Sequence, residues 1–311
     1  MKHVYDIASA QLTQASVVTI GVFDGVHAGH QHLVRQLVQE AHATGRQAVV
    51  VTFFPHPDVI LKRLAGRYYL TMPEQKAAQL LKLGVDLVVT HPFDEQVRVM
   101  RAASFVELLL RHLRMQALWV GSDFALGYRR EGDVAFLRDQ GAQRGFVVHE
   151  TDLLHREGHR ISSTAIRQAL QAGDVEAARA GLGRGYSVIG EVVRGEGRGR
   201  QIGFPTANVA VSEQQVIPVN GVYAGWAWVD GERYSAVTNV GVRPTFNGAG
   251  ITVEAHLLDF QQDIYGQTLE VSFETLLRPE QRFNGIQELI AQIGLDVQAG
   301  RLALSRLESG G

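Results

Sequence analysis

The sequence predicts two domains of different class: a Rossmann-like α/β domain with a parallel sheet, then an all-β domain built as an antiparallel barrel with a terminal helix. Three observations lead there. The length of 311 residues exceeds what one ordinary core needs. To about residue 182, apolar strand-like runs alternate with amphipathic helical runs, and from Gly183 onward short strands punctuated by glycine replace them.

In the first half Ser16–Ile20 reads as a buried strand, and Leu33, Val34, Leu37, Val38 and Ala41 recur at helical spacing from Gln31 onward. Gln47–Phe54 reads as a strand, 73–83 as a helix and 86–90 as a strand again. A helix is expected over 104–115, opened by Ser104 and Glu107 as a capping box. Strands over 117–121 and 146–149 follow, then two short helices over 163–171 and 174–180. Such alternation implies a parallel sheet with helices on both faces. In the second half, strands are expected over 186–193, 222–229, 233–240, 252–258 and 269–276, with a hairpin turn at Asp230-Gly231 and a helical tail over 285–307. The glycine-rich stretch 181–185 sets the boundary, giving domains 1–182 and 183–311.

Composition narrows the function classes. Hydrophobic residues make up 45%, as in a soluble globular chain, and 30 basic against 32 acidic residues leave a formal charge of -2. That balance provides no broad cationic field, so nucleic acid is not an expected partner. The absence of cysteine excludes disulfides, thiol nucleophiles and thiolate metal sites, and fits a reducing compartment. No apolar run approaches a membrane span, and the start lacks a signal-peptide pattern, so no membrane partner and a cytoplasmic location are expected. Nothing in the sequence sets the oligomeric state.

The run Gly21-Val22-Phe23-Asp24-Gly25-Val26-His27-Ala28-Gly29-His30 lies where a strand hands over to a helix. His30 falls on the first helical turn, where unpaired N–H groups and the helix dipole attract an anion, and Gly29 lets the backbone approach it. His27 can reach the same anion, and imidazoles can donate to phosphate oxygens. The expected ligand is a nucleoside triphosphate. Zinc held by the two histidines is the rival reading, disfavoured by the lack of cysteine and of a third ligand nearby. Asp123, Arg129 and Arg130 follow another strand end, and Arg160, Ser162, Ser163, Thr164 and Arg167 set hydroxyls at a helix start between guanidinium groups. Read alone, that last group is an ordinary helix cap.

In the second half, Gly195 to Gly203 is a glycine and arginine loop, followed by Phe204, Pro205, Thr206 and Asn208. It matches neither a Walker loop nor a dinucleotide fingerprint, yet glycine N–H groups with arginines beside them still cradle phosphate. In extended geometry Thr206 and Asn208 share a face and can reach one magnesium ion. Glu254 read alone is a polar strand residue facing water.

Phe23 to His30, Thr52-Phe53-Phe54-Pro55-His56-Pro57, Gly121-x-Asp123-Phe124 and Ser162-Ser163-Thr164-x-Ile166-Arg167 together resemble the HxGH nucleotidyltransferases, specifically the FMN adenylyltransferase module of bacterial bifunctional riboflavin kinase/FAD synthetases. Leu126 and Val22 stand where relatives usually carry phenylalanine and many carry asparagine. The resemblance implies that His27 and His30 hold ATP phosphates during attack. It implies ATP binding by Gly21, Phe23, Asp24, Gly29, Arg160, Ser163, Thr164 and Arg167, and flavin placement by Phe54, Pro55, His56, Pro57 and Asp123.

Gly203 to Asn208, Gly221-Val222-Tyr223-Ala224, Asn239-Val240-Gly241-x-x-Pro244-Thr245-Phe246 and Glu254 to Asp259 are similar to bacterial riboflavin kinase modules. That resemblance implies a six-stranded barrel, ATP at Gly197, Arg198, Gly203, Phe204, Pro205 and Thr206, magnesium at Thr206 and Asn208, and Glu254 as the base for the riboflavin 5′-hydroxyl. The joint expectation is an enzyme that makes FMN from riboflavin and ATP, then FAD and pyrophosphate from FMN and ATP. Two other readings stand beside it. A class I tRNA-synthetase-like ligase would need a Lys-Met-Ser-Lys-Ser loop, which is absent. A flavin-binding regulator would lack acid/base groups, whereas Glu254, Thr206 and Asn208 are present.

Overall fold

A computed structural model describes residues 2–151, 155–156, 159–195, 197–245 and 248–309. Contacts divide the chain into two compact units between Ser163 and Thr164. The sequence boundary at 182/183 lies further along. The difference comes from the two short helices α5 (Ser163–Ala172) and α6 (Val175–Leu182), which pack with the barrel: the Val219 amide donates to the Leu170 carbonyl at 3.2 Å.

In the first unit β1 (Lys2–Val4), β2 (Ser16–Ile20), β3 (Gln47–Phe54), β4 (Leu87–Pro92), β5 (Met115–Gly121) and β6 (Val147–Thr151) form one sheet, every pairing parallel, in the order β1-β4-β3-β2-β5-β6. Its central strands are apolar on both faces because helices cover both. On one face lie α1 (Ala28–Ala43) and α2 (Pro73–Lys82), through Val34, Leu37 and Leu80. On the other lie α3 (Ala102–Leu113) and α4 (Val134–Arg144), through Phe105, Leu109 and Leu137. Strand β1 and helix α4 are absent from the sequence reading.

The expected capping box at Ser104 does not form. Helix α3 begins at Ala102, whose amide donates to Glu131 Oε1 at 2.8 Å, while Glu107 pairs with Arg144 at 2.7 Å. A carboxylate distant in sequence thus satisfies the helix start that Ser104 and Glu107 were expected to satisfy.

Chain order reverses beside β2, with β3 on one side and β5 on the other. In an open α/β sheet the carboxyl ends of such strands flank the ligand crevice. The loops carrying His27 and Asp123 both leave from there.

In the second unit β7 (Tyr186–Val193), β8 (Ala207–Val211), β9 (Gly221–Val229), β10 (Glu232–Thr245), β11 (Gly248–Leu257) and β12 (Thr268–Phe273) are antiparallel and close on themselves in the ring β10-β11-β8-β7-β12-β9. Closure pairs every strand on both sides, which removes free edges. Asp230 and Gly231 take φ +49° and +85° between Val229 and Glu232, the positive values a two-residue I′ hairpin needs. The run 269–276 is not one strand: β12 ends at Phe273 and β13 (Thr275–Pro279) continues against β9. Helix α7 (Ile286–Ser309) lays Val297 against Val222, Val237 and Leu258 on the outside of the barrel.

Candidate active sites

The loop from β2 to α1 is held in a conformation that costs free energy. Phe23 and Val26 take φ +50° and +41°, left-handed values that cost a non-glycine residue about 1–2 kcal/mol each. Several bonds offset that. Phe23 is buried against Val34, Ala77 and Leu80. The Asp24 carboxylate accepts from the amides of Leu70 at 3.0 Å and Thr71 at 3.1 Å, and the Gly25 amide donates to Thr71 Oγ1 at 3.0 Å. Ser163 Oγ donates to the Asp24 carbonyl at 2.8 Å. Asp24 and Ser163, expected as ATP ligands, therefore also anchor this loop.

The loop delivers the two imidazoles as a unit. His27 is the N-cap of α1, its Nδ1 accepting from the His30 amide at 3.3 Å, so in the neutral ring Nε2 carries the proton. The rings stack at 3.6 Å between centroids, and Phe23 meets His30 edge-on at 5.0 Å. His27 is 8% exposed, and His30 Nδ1 is buried with no hydrogen-bond partner among the described residues. Such an orphan costs about 1–3 kcal/mol until something satisfies it. Burial, then the neighbouring His27 and Lys76, hold the His30 imidazole well below the ordinary histidine value. The pair presents ring N–H donors at the positive end of a helix, an arrangement suited to polyphosphate.

The remaining expected residues of this unit are partly gathered. The Phe54-Pro55 peptide is cis, Phe54 packs on Tyr69 at 5.3 Å, and His56 Nδ1 accepts from the Asp58 amide at 2.9 Å to cap a short helix begun by Pro57. Phe54 ends β3, next to β2, and Pro55 to Pro57 follow it on the same sheet edge as His27. Asp123 is exposed after β5, its carbonyl accepting from Arg130 at 2.9 Å. Leu126 packs against the core beneath α3, opposite Gly132. Arg160 lies on a short strand, and its side chain falls outside the described residues, as do Glu196 and Phe246. Thr164 and a buried Arg167 follow on α5, within the second unit.

Sequence reading missed Lys76, whose Nζ donates to the Val22 carbonyl at 2.8 Å and to Thr52 Oγ1 at 3.2 Å beneath the loop. A signal existed: Lys76 shares a helical face with Pro73, Ala77 and Leu80, an apolar stripe.

In the barrel, Asn208 on β8 stands directly across from Glu254 on β11, which stands across from Asn239 on β10. Residues so paired share a face. Two cavities open there. One, of about 380 Å³, is bordered by Gly195, Gly197 and Asn208; the other, of about 310 Å³, by Asn239, Phe283 and Ile293 of α7. Glu254, Thr206 and Arg198 border both. Half-buried Glu254 thus sits at a junction rather than facing open water.

The glycine loop is pressed against these groups. A Cβ on Gly195 would stand 2.4 Å from Asn208 Nδ2, and one on Gly199 2.4 Å from the Phe204 carbonyl. The ring of His256 meets Phe204 edge-on at 5.6 Å, and its Nδ1 donates to the Pro205 carbonyl at 2.7 Å, fixing the approach to Thr206. His256 carried no role in the sequence reading. Thr206 and Asn208 offer neutral oxygen donors suited to a hard cation, and glycine leaves the space beside them clear. No cluster of three His, Asp or Glu among the described residues could hold a metal, so a cation at this place would need phosphate or water to complete its ligands.

The two units and their sites define a nucleotide-dependent transferase with one site in a parallel sheet and another on a barrel. A family model described as FAD synthetase matches residues 9–165, and one described as riboflavin kinase matches 182–304. Bifunctional riboflavin kinase/FMN adenylyltransferases from Listeria monocytogenes and Escherichia coli K12 are 38% and 40% identical, over 94% and 93% of this chain and 93% and 92% of theirs. The chain belongs to the bifunctional riboflavin kinase/FMN adenylyltransferase family. A crystal structure titled as a macrolide-efflux protein from Streptococcus pneumoniae superposes with a TM-score of 0.85 at 28% identity, covering 96% of this chain and 98% of that one. Among the described residues no helix is long and apolar enough to cross a membrane.

Proposed function

We propose that residues 183–311 phosphorylate riboflavin and residues 1–182 adenylylate the FMN so formed, with Glu254 and the His27/His30 pair at the two centres. The position of Glu254 carries the first assignment: it borders both cavities, where a phosphoryl donor and an alcohol acceptor can meet. ATP binds along Gly197, Arg198 and Gly203 to Thr206, and riboflavin lies toward Asn239 and Phe283. Glu254 accepts the proton of the 5′-hydroxyl as its oxygen bonds to the γ-phosphorus and ADP leaves. Thr206 and Asn208 would hold a magnesium ion, which would supply charge neutralisation for the transferring phosphate.

In the sheet unit an FMN phosphate oxygen bonds to the α-phosphorus of ATP, and pyrophosphate leaves. His27 Nε2, His30 and the first amides of α1 stabilise the negative charge that accumulates on the phosphate oxygens. Flavin is placed by Phe54 to Pro57 and Asp123, and the triphosphate by Ser163, Thr164, Arg160 and Arg167. The partners in this reading are small molecules in a cytoplasmic setting, with no part for nucleic acid or membrane.

Separable lesions test it. His27→Ala with His30→Ala is expected to lower FAD formation by about 10³-fold or more and leave FMN formation intact. Glu254→Gln is expected to lower FMN formation by about 10²–10⁴-fold while added FMN is still converted to FAD. Chromatography of flavins after incubation with ATP and magnesium reads both. A folded variant that loses both activities refutes the assignment of independent sites.

A further inference from the structure

Lys76 is 2% exposed on α2, and its ammonium is used by no step above. A buried lysine forfeits hydration that an apolar side chain beside Ala77 and Leu80 would not need. Its compensation is local: the Val22 carbonyl, the Thr52 hydroxyl and the charge of Asp24. Val22 matters because it precedes Phe23, the first left-handed residue of the loop. Its carbonyl accepts from Lys76 Nζ and from Thr52 Oγ1, both at 2.8 Å, which sets the peptide plane leading into Phe23. The Phe23 ring in turn meets His30. An unbroken series of contacts therefore runs from the ammonium to the stacked imidazoles.

We propose that Lys76 is a positioning residue for adenylyl transfer: its ammonium orients the Val22 carbonyl and, through Phe23, fixes where His27 and His30 meet the phosphates. This rests on the assignment of that reaction to the histidine pair. The titratable and charged groups facing the ammonium are Asp24 from the loop, His30 from α1 and His3 from β1. Burial brings the lysine down to about 8, while the two histidines, both lowered by burial, are neutral from neutral pH upward. A loss of activity above pH 8 would then report the ammonium.

The full chain and its Lys76→Met, Thr52→Val, Thr52→Ser and His27→Ala/His30→Ala variants are assayed for FAD formation from FMN and ATP between pH 6.5 and 9.5, for riboflavin phosphorylation, and for thermal unfolding. For Lys76→Met the expected result is a kcat for FAD formation about ten- to hundredfold lower, with little change in KM. Its high-pH decline disappears, and riboflavin phosphorylation is unchanged. Thr52→Val moves the same way, and Thr52→Ser, which keeps the hydroxyl, restores the parent. A folded Lys76→Met with the parent's kcat and pH profile overturns the proposal. If Lys76→Met does not fold, the threonine pair decides: Thr52→Val at parental kcat overturns it, and a loss rescued by serine supports it. FAD formation persisting in the double histidine variant refutes the site assignment itself, a result separate from failure of the lysine variant alone.

Discussion

Removing Asp296 tests whether α7 shapes the second cavity of the barrel, the side proposed for riboflavin. Asp296 is 5% exposed and accepts from Arg278 Nε at 2.9 Å and Nη2 at 2.7 Å, with Gln292 Nε2 adding a bond at 2.9 Å from the same helix. Arg278 lies on β13, its guanidinium 5.7 Å from the Phe283 ring centroid, and all three residues border the second cavity. Asp296→Ala leaves that guanidinium in place without its counterion. Breaking a buried ion pair by deleting one partner costs about 3–5 kcal/mol. The Arg278 side chain is 17% exposed, so water reaches it in part, and we expect the lower end, about 3 kcal/mol. For a unit of this size that lowers the midpoint of thermal unfolding by about 6–12 °C. In a Trp119→Phe background, tryptophan fluorescence reports β9 alone, through Trp226 and Trp228. KM for riboflavin should rise, and FAD formation from added FMN should not change. The paired change Arg278→Met/Asp296→Leu should recover most of the lost stability, because no buried charge is then left unpaired. A loss below about 1 kcal/mol, or a destabilised barrel with the parent's KM for riboflavin, refutes the reasoning.

Two further outcomes follow from the same physics. Gly199→Ala sets a Cβ 2.4 Å from the Phe204 carbonyl, so the loop must shift away from Thr206. Riboflavin phosphorylation should fall about 10²-fold, with FAD formation as the control, and wild-type rates would show that the loop needs no glycine there. Lys76 also predicts a stability linkage, because burial depresses its folded value to about 8 while the unfolded chain keeps the ordinary value near 10.4. Between these the unfolded state binds more protons, so the parent gains stability relative to Lys76→Met as pH rises, by about 3 kcal/mol across that window. Denaturant titrations from pH 7 to 10.5 measure it; a difference that stays constant with pH shows that the lysine is not buried as a charge.

Short-range chemistry alone determined much of this protein. The strand, glycine and helix signals around His27 and His30 are properties of adjacent residues, and the structure places the strand and helix there, with His30 on the first turn of α1 as expected. The Asp230-Gly231 turn is likewise set by two residues whose backbones tolerate positive φ. What the tertiary structure decided is where charge lies and which distant groups complete a local element. Lys76 falls on the apolar stripe of α2, but only the packing of that helix on the sheet carries its ammonium under Val22. The start of α3 depends on Glu131, which no capping rule over neighbouring residues can supply. Glu254 reads as a strand residue in water until register sets Asn208 and Asn239 beside it and α7 closes over that face. The physical reason is range: hydrophobic period and turn chemistry act over a few residues, whereas desolvation, cavity shape and the pairing of charges depend on segments brought together only by folding.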